Sequence, residues 1–289
     1  KNINKKKSFK VKKNIFFKNP LDITKNSKVD IVIELIGSSD GISKKVVESA
    51  LKNKKHVITA NKALMSKHGD NLTSIAEKNR VNLEFEAAVG GGIPVLRTIK
   101  DGLATNKINK VVGILNGTSN YILSQMQKTK KSFKNVLKEA QKLGFAEANP
   151  KFDLDGSDVL AKIRILSSLS FNNKISKNIC LRNGIENIEL KDIDMAEKLD
   201  LRVKLLGITE IINNKLFERV HPCLIKKDNY IANIDGVMNA VILEGNPVGE
   251  SVLQGDGAGP GPTSSALMSD LLSILRGNIK FPFQCVVSV

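Results

Sequence analysis

A chain of 289 residues, 41% hydrophobic and 26% charged, is long enough to bury a core in one large domain or two ordinary ones. Its net charge of +16 invites a nucleic-acid reading, but aromatics make up only 4% and tryptophan is absent, so there is no stacking platform. The lysines are spread along the chain among many asparagines and isoleucines, as an AT-rich genome writes surface positions, and no nucleic-acid partner is expected.

In chain order, Lys1 to Lys13 is a basic run, expected to be solvated, with no apolar stretch behind it, so it is not expected to be a secretory signal. Position 1 is lysine, so the chain is expected to begin inside a longer reading frame. Val29 to Ile36 is a near-continuous apolar run that breaks at Gly37-Ser-Ser-Asp-Gly41. This predicts a buried parallel strand ending in a ligand-side loop. Ile42 to Asn53 carries Ile42, Val46, Val47, Ala50 and Leu51 at helical spacing. A short strand is predicted over His56 to Ala60, then Asn61-Lys62, a helix over Gly69 to Asn79 and a strand over Val81 to Ala88. That alternation is the rhythm of an open α/β sheet, whose ligands sit at the carboxyl ends of the strands. One such end is Glu86-Ala-Ala-Val-Gly-Gly-Gly-Ile-Pro94, ahead of a helix predicted over Val95 to Gly102. Its three glycines read as a turn needing positive φ or as a close backbone approach to a ligand or ion.

Beyond about Lys107 the texture changes. Val111 to Leu115 predicts a strand, Asn116-Gly-Thr-Ser-Asn120 a polar loop, and Tyr121 to Gln127 the start of a helix. A helix over Ser132 to Gly144 delivers the segment Gly144 to Ile163, which gathers Glu147, Asp153, Asp155, Asp158 and Lys162 in a loop running into a helix. Ser157 or Asp155 can cap that helix. Asp158 and Lys162 are i and i+4, on one face; most such pairs are solvated and contribute about 0.2–0.5 kcal/mol. Here the helix continues as apolar Ile163-Arg-Ile-Leu-Ser-Ser-Leu. A lysine held beside carboxylates at the head of a buried helix can trade a proton with an alcohol or a carbonyl. Strands are then predicted over Val203–Ile212, Leu216–Pro222 and Tyr230–Val237, with a strand pair over Asn239–Leu253. The Gly/Pro loop Gly255–Thr263 and a helix over Ser264–Arg276 follow. Cys180, Cys223 and Cys285 form no disulfide framework, and with His56, His68 and His221 no zinc spacing, which suits a reducing cytoplasm. No apolar run is long enough to span a bilayer, and no membrane partner is expected.

Six motifs occur in one order: Glu34-Leu-Ile-Gly37, Thr59-Ala-Asn-Lys-Ala-Leu64, Glu86 to Pro94, Gly113-Ile-Leu-Asn-Gly-Thr-Ser-Asn-Tyr-Ile122, Gly144 to Lys162, and Gly255 to Pro262. Together they resemble homoserine dehydrogenase. The resemblance implies NAD(P)-dependent interconversion of L-homoserine and L-aspartate 4-semialdehyde, on the way to threonine, methionine and isoleucine. It implies an α/β fold: a partial Rossmann-like nucleotide-binding domain (1–104), an α+β substrate and dimerisation domain with a mixed or antiparallel sheet (105–250), and a C-terminal loop and helix returning to the first domain (251–289). By the same resemblance Lys162 and Lys62 are catalytic, while Glu147, Asp153 and Asp158 bind substrate. Ile36, Gly37, Ser38, Ser39, Lys62 and Gly259 bind NAD or NADP. The backbone carbonyls of Glu86, Val89, Gly91 and Ile93 match a sodium site, and the enzyme is expected to be a cytoplasmic homodimer.

Two departures stand beside the match. The family's opening strand and Gly-x-Gly-x-x-Gly turn have no counterpart here, so impaired cofactor binding and exposed neighbouring edges are expected. The likeness fades after Asn278, before the regulatory ACT domain that many bacterial members carry. Another nicotinamide-dependent amino-acid dehydrogenase, and a non-catalytic basic binding protein, are the alternatives.

Overall fold

The computed structural model describes residues 16–178 and 180–278; the Lys1–Lys13 run, Cys285 and the tail from Lys280 lie outside the described residues. Helix α1 (Pro20–Lys25) opens on Asn19, whose side chain accepts from Leu21 N. Three parallel strands follow, in the order β1 (Ile31–Glu34), β2 (His56–Thr59) and β3 (Leu83–Glu84). Helix α2 (Ile42–Lys52) joins the first two and buries Val46, Val47, Ala50 and Leu51 as their spacing predicts. Helix α3 (Lys62–Lys78) joins the second pair. It begins seven residues before the predicted start, because the Asn61 side chain caps it by accepting from Leu64 N at 3.0 Å. At the outer strand β1, Ile33 and Leu35 are 45% and 61% exposed.

The strand predicted over Val81–Ala88 is cut short. Residues Glu86–Ala88 form a 3-10 turn, since the Glu86 carboxylate reaches forward to Leu96 N and Arg97 N at 2.8 and 2.9 Å. It thereby satisfies the opening of helix α4 (Val95–Arg97), which continues as a wider turn to Gly102.

The second sheet has six strands: β4 (Lys107–Ile114), β5 (Leu181–Arg182), β6 (Leu201–Ile212), β7 (Lys215–Lys226), β8 (Met238–Asn246) and β9 (Gly249–Asp256). Their spatial order is β5-β7-β6-β4-β8-β9, and only β5 with β7 is parallel, so the sheet is mixed. Two predictions fail in this half. Asn116–Asn120 is not a free loop: Asn116 caps helix α5 (Gly117–Thr129) through Ser119 N at 2.8 Å. Tyr230–Val237 is not a strand but a 3-10 turn over Tyr230–Asn233 with an irregular continuation. There the carbonyls of Ile234 and Gly236 are taken by the Asn120 side chain, and that of Ile234 also by Lys204, leaving no ladder to build.

Helices α6 (Phe133–Lys142), α7 (Lys151–Leu154), α8 (Ser157–Phe171) and α9 (Leu190–Lys198) lie in the long excursion between β4 and β6, and α10 (Pro260–Leu275) returns toward the first sheet. Helix α8 lies on β4 and β6 and also packs against α3, so it bolts the two layers together. Gly207 lets it come close, since a Cβ there would meet Val159 Cγ1 at 2.8 Å. One apolar cluster runs through both layers, from Val47 and Val57 to Leu115, Ile163 and Val203. A smaller one, with Ile114, Leu206, Ile208 and Ile242, covers the other face of the second sheet.

The turn that feeds α8 is set from behind. Ile185 N donates to Leu154 O at 2.8 Å, and a Cβ on Gly184 would stand 1.9 Å from that same oxygen. Gly184→Ala is expected to cost about 1–3 kcal/mol of stability, because the obstacle is backbone and cannot rotate away. A urea midpoint equal to wild type would contradict that contact.

Candidate active site

Where α3, α8 and the end of β4 converge, a cavity of about 410 Å³ opens. Lys62, Glu147, Asp153, Asp158, Lys162 and Gly259 all line it. Asp158 and Lys162 come from α8, whose first N–H is held by Asp155: its Oδ1 accepts from Ser157 N at 2.8 Å. The N-cap position itself is Gly156, in the left-handed conformation, so neither Asp155 nor Ser157 occupies it: Asp155 precedes it and Ser157 is the first helical residue.

Asp158 is 1% exposed and meets a lysine on each side. Lys162 Nζ donates to its Oδ2 at 2.8 Å, and Lys62 Nζ, from the start of α3, lies 2.6 Å from its Oδ1. Lys162 Nζ also donates to the carbonyl of Leu115 at 2.6 Å. An ammonium has three donors, and two are used here among the described residues, leaving one for a ligand oxygen. Burial would raise the Asp158 carboxyl, but the two lysines outweigh it and hold it well below the usual carboxylate range.

Asn116 ties this group to its neighbour. Its Nδ2 lies 2.8 Å from both Asp158 Oδ2 and Asp153 Oδ1. Thr118 Oγ1 lies 3.3 Å from Asp153 Oδ2, and Ser119 Oγ donates to the Asp153 carbonyl at 2.7 Å. Burial raises the Asp153 carboxyl; the Asn116 bond opposes it and the nearby Asp158 charge adds to it. Glu147 is exposed at the rim, where Gln141 Nε2 donates to its backbone carbonyl at 3.1 Å.

Two predicted groups lie outside this cavity. Ile36, Gly37, Ser38 and Ser39 form the loop after β1. The buried Glu34 carboxylate accepts from Ile36 N at 2.7 Å, Gly37 N at 3.2 Å and Thr59 Oγ1 at 2.7 Å. Burial acts against its ionisation, but these hydrogen bonds prevail and lower its pKa. Asn61 Nδ2 donates to Ser38 O at 2.8 Å, which joins the loop to the residue before Lys62. The Glu86–Pro94 turn lies behind the segment Gly257–Gly259, with Gly92 N donating to Asp256 O at 3.0 Å. Gly90 and Gly91 have φ of +75° and +56°, the conformation that the glycine run called for.

Residues 94–272 match the family model for homoserine dehydrogenase, and residues 2–86 match the model for the homoserine dehydrogenase NAD binding domain. The chain belongs to the homoserine dehydrogenase family. It is 45% identical to the homoserine dehydrogenase of Neisseria gonorrhoeae over 90% of this chain and 42% identical to that of Pseudomonas aeruginosa over 90%. The crystal structure of a homoserine dehydrogenase from Thiobacillus denitrificans superposes with a TM-score of 0.87 at 44% identity over 90% of this chain. The chain spans 60% of the length of each of these three relatives.

Sequence reasoning missed Asn116 and Thr118 as parts of this site, and Glu34 as the anchor of the loop beside it. Asn116 had a signal: an asparagine before a small-polar run that leads into an apolar helix is an N-cap pattern. Glu34 had none, because a lone acid inside an apolar strand does not reveal which backbone donors it will meet.

Since Asp158 is held below its usual 3.8, its ionisation favours the fold. That contribution is complete above about pH 4 and is lost as the pH falls further. Asp158→Asn leaves the buried Lys162 and the half-exposed Lys62 without their carboxylate and is expected to cost about 3 kcal/mol at neutral pH. The gap between wild type and variant in urea midpoint should shrink in more acid solution; a gap independent of pH would contradict the ion pairing.

Proposed function

We propose that this chain carries the NAD(P)-dependent interconversion of L-homoserine and L-aspartate 4-semialdehyde, the homoserine dehydrogenase step toward threonine, methionine and isoleucine. The observation that carries this reading is the Lys62–Asp158–Lys162 arrangement at the seam of the two layers, open to a cavity rimmed by Glu147 and Asp153. The family match leaves the other nicotinamide dehydrogenases and a non-catalytic basic protein without support.

Lys162 is the residue for the proton. Leu115 O and Asp158 fix its ammonium, and its remaining donor serves the substrate oxygen, giving a proton to the aldehyde oxygen or, once neutral, taking one from the alcohol. Asp158 holds that lysine in place and balances its charge, so a developing alkoxide meets an aimed cation. Lys62, 5.9 Å from the centre of the Phe152 ring, faces the same space and steadies a substrate carboxylate or assists the proton. Glu147 and Asp153 supply negative charge for the substrate ammonium. NAD or NADP, when bound, supplies the hydride chemistry, with Ile36, Gly37, Ser38, Ser39, Lys62 and Gly259 as the residues to hold it. In this division residues 1–104 and 251–289 serve the nucleotide, and 105–250 serve the substrate.

The carbonyls of Glu86, Val89, Gly91 and Ile93 would be the ligands of a monovalent cation such as sodium. All four are neutral oxygens, the Glu86 carboxylate is engaged at α4, and the left-handed glycines turn the chain there. The exposed apolar residues Phe217 on β7 and Val252 on β9, on the face of the second sheet away from α8, suit a homodimer formed through that sheet. A cytoplasmic setting goes with this chemistry. Among the described residues no helix is long and apolar enough to cross a membrane.

Homoserine-dependent reduction of NAD+ and NADP+ by this chain, alone and extended to the length of its relatives, tests the reading. Lys162→Ala is expected to lower kcat by about 10²–10⁴-fold with the fold intact, the usual worth of a positioned acid–base group. A folded wild type that reduces neither nucleotide would sink the proposal, and an active Lys162→Ala enzyme would remove that lysine from its role.

A further inference from the structure

Asn239, at the start of β8, is 1% exposed, and both ends of its amide are buried without a hydrogen-bond partner among the described residues. Nearby amides are fully occupied. Asn116 caps α5 and bridges two carboxylates, while Asn120 donates to the carbonyls of Ile234, Gly236 and Met238 and accepts from Lys204. An idle buried amide weakens the ligand-free fold, so its presence asks for a partner in another state.

Its surroundings name that partner. The amide lies flat against Gly257, where a Cβ would come within 2.1 Å of Asn239 Cγ and Nδ2. On the far side, a Cβ on Gly91 would stand 2.5 Å from the carbonyl carbon and oxygen of Gly257. The backbone of Gly257 is thus sandwiched between the Gly91 turn and the Asn239 amide with no Cβ of its own or of Gly91 between them. Together with Ala258 and Gly259 it forms one wall of the cavity. Pairing of Asn239 with Gly255 sets the amide beneath the start of this strap.

We propose that Asn239 is a positioning residue for nucleotide binding: its amide exchanges hydrogen bonds with the peptide groups of Gly257 and Ala258 when the nicotinamide nucleotide fills the cavity, and so seats the strap against it. The inference rests on the NAD(P)-dependent reading above. A carboxamide has two donors and an acceptor with two lone pairs, so it can serve a peptide N–H and a peptide C=O at once. The glycines at 91 and 257 keep side chains out from between the turn, the strap and the amide. Binding then recovers what the idle amide costs, which links the strap's position to occupancy of the cavity.

The test uses Asn239→Leu, close in size and apolar, and Asn239→Ala, in the chain extended to the length of its relatives, with circular dichroism to confirm folding. Asn239→Leu is expected to raise the ligand-free Tm by about 2–4 °C, since the unsatisfied amide is gone. In both variants KM for whichever of NAD+ and NADP+ the wild type uses should rise about tenfold, with kcat changed less than about threefold. The Tm increase that the nucleotide produces should shrink in parallel. Folded variants with wild-type KM and a wild-type nucleotide-induced shift overturn the inference while leaving the reaction intact. A wild type that forms no reduced nucleotide from homoserine overturns the functional reading and this inference with it.

Discussion

The carboxylate of Asp158 is buried at the seam of two layers, and each of its oxygens faces an ammonium brought by a different helix. Lys162 comes from its own helix one turn on, and Lys62 comes from the helix that crosses over between β2 and β3. A carboxylate so enclosed is tolerated only when its charge is matched, and removing either side leaves an uncompensated ion. The pairing therefore fixes the distance between α3 and α8, and through them between the parallel sheet and the mixed one. The cavity takes its floor from that distance. Loops around Phe145, Val237 and Gly257 complete its walls.

Other parts of the structure meet the same demand in smaller ways. Glu34 and Glu86 are buried acids that find backbone N–H groups instead of cations. Each fixes a turn at the end of a strand, one after β1 and one after β3. Lys204 is a buried base, which its burial disfavours as a cation; it is met by Asp235, Asn120 and the carbonyl of Ile234. That knot holds the segment leading to Val237, whose carbonyl would lie 2.8 Å from a Cβ on Gly117. Buried ions here act on backbone, and backbone makes the walls of the site.

What was legible in the sequence follows from this physics. The strand–helix alternation from β1 to β3 and the amphipathic face of α2 were readable because apolar spacing alone decides them. The acidic segment into α8 was readable as chemistry, since Asp158 and Lys162 are neighbours on one helix turn. The meeting of Asp158 with Lys62 was not: the two lie on separate elements and only the packing of α3 on α8 joins them. The predicted strand over Tyr230–Val237 failed because its carbonyls are claimed by Asn120 and Lys204, side chains remote in sequence. Val81–Ala88 failed for a like reason, a carboxylate reaching ten residues ahead. Local pattern finds elements that answer to burial, and misses those that answer to a distant polar partner.

The walls of the cavity accordingly divide into two kinds. Asp158, Lys162 and Asn116 stand at helix starts and are tied to one another by hydrogen bonds, so they offer a fixed geometry for the proposed reaction. Among the described residues the Gly257–Gly259 strap is held at its ends, by Gly92 N donating to Asp256 O and Thr263 N to Gly259 O; between them lie the Gly91 turn on one side and an unpaired amide on the other. Catalysis needs the first kind where charge develops, and binding needs the second where a large ligand must enter and then be gripped. A chain that spent Asn239 on a permanent bond would have a firmer resting state and a strap less able to yield. Leaving that amide unpaired places the adjustable energy of the site on the side proposed for the nucleotide, away from the lysine proposed to move the proton.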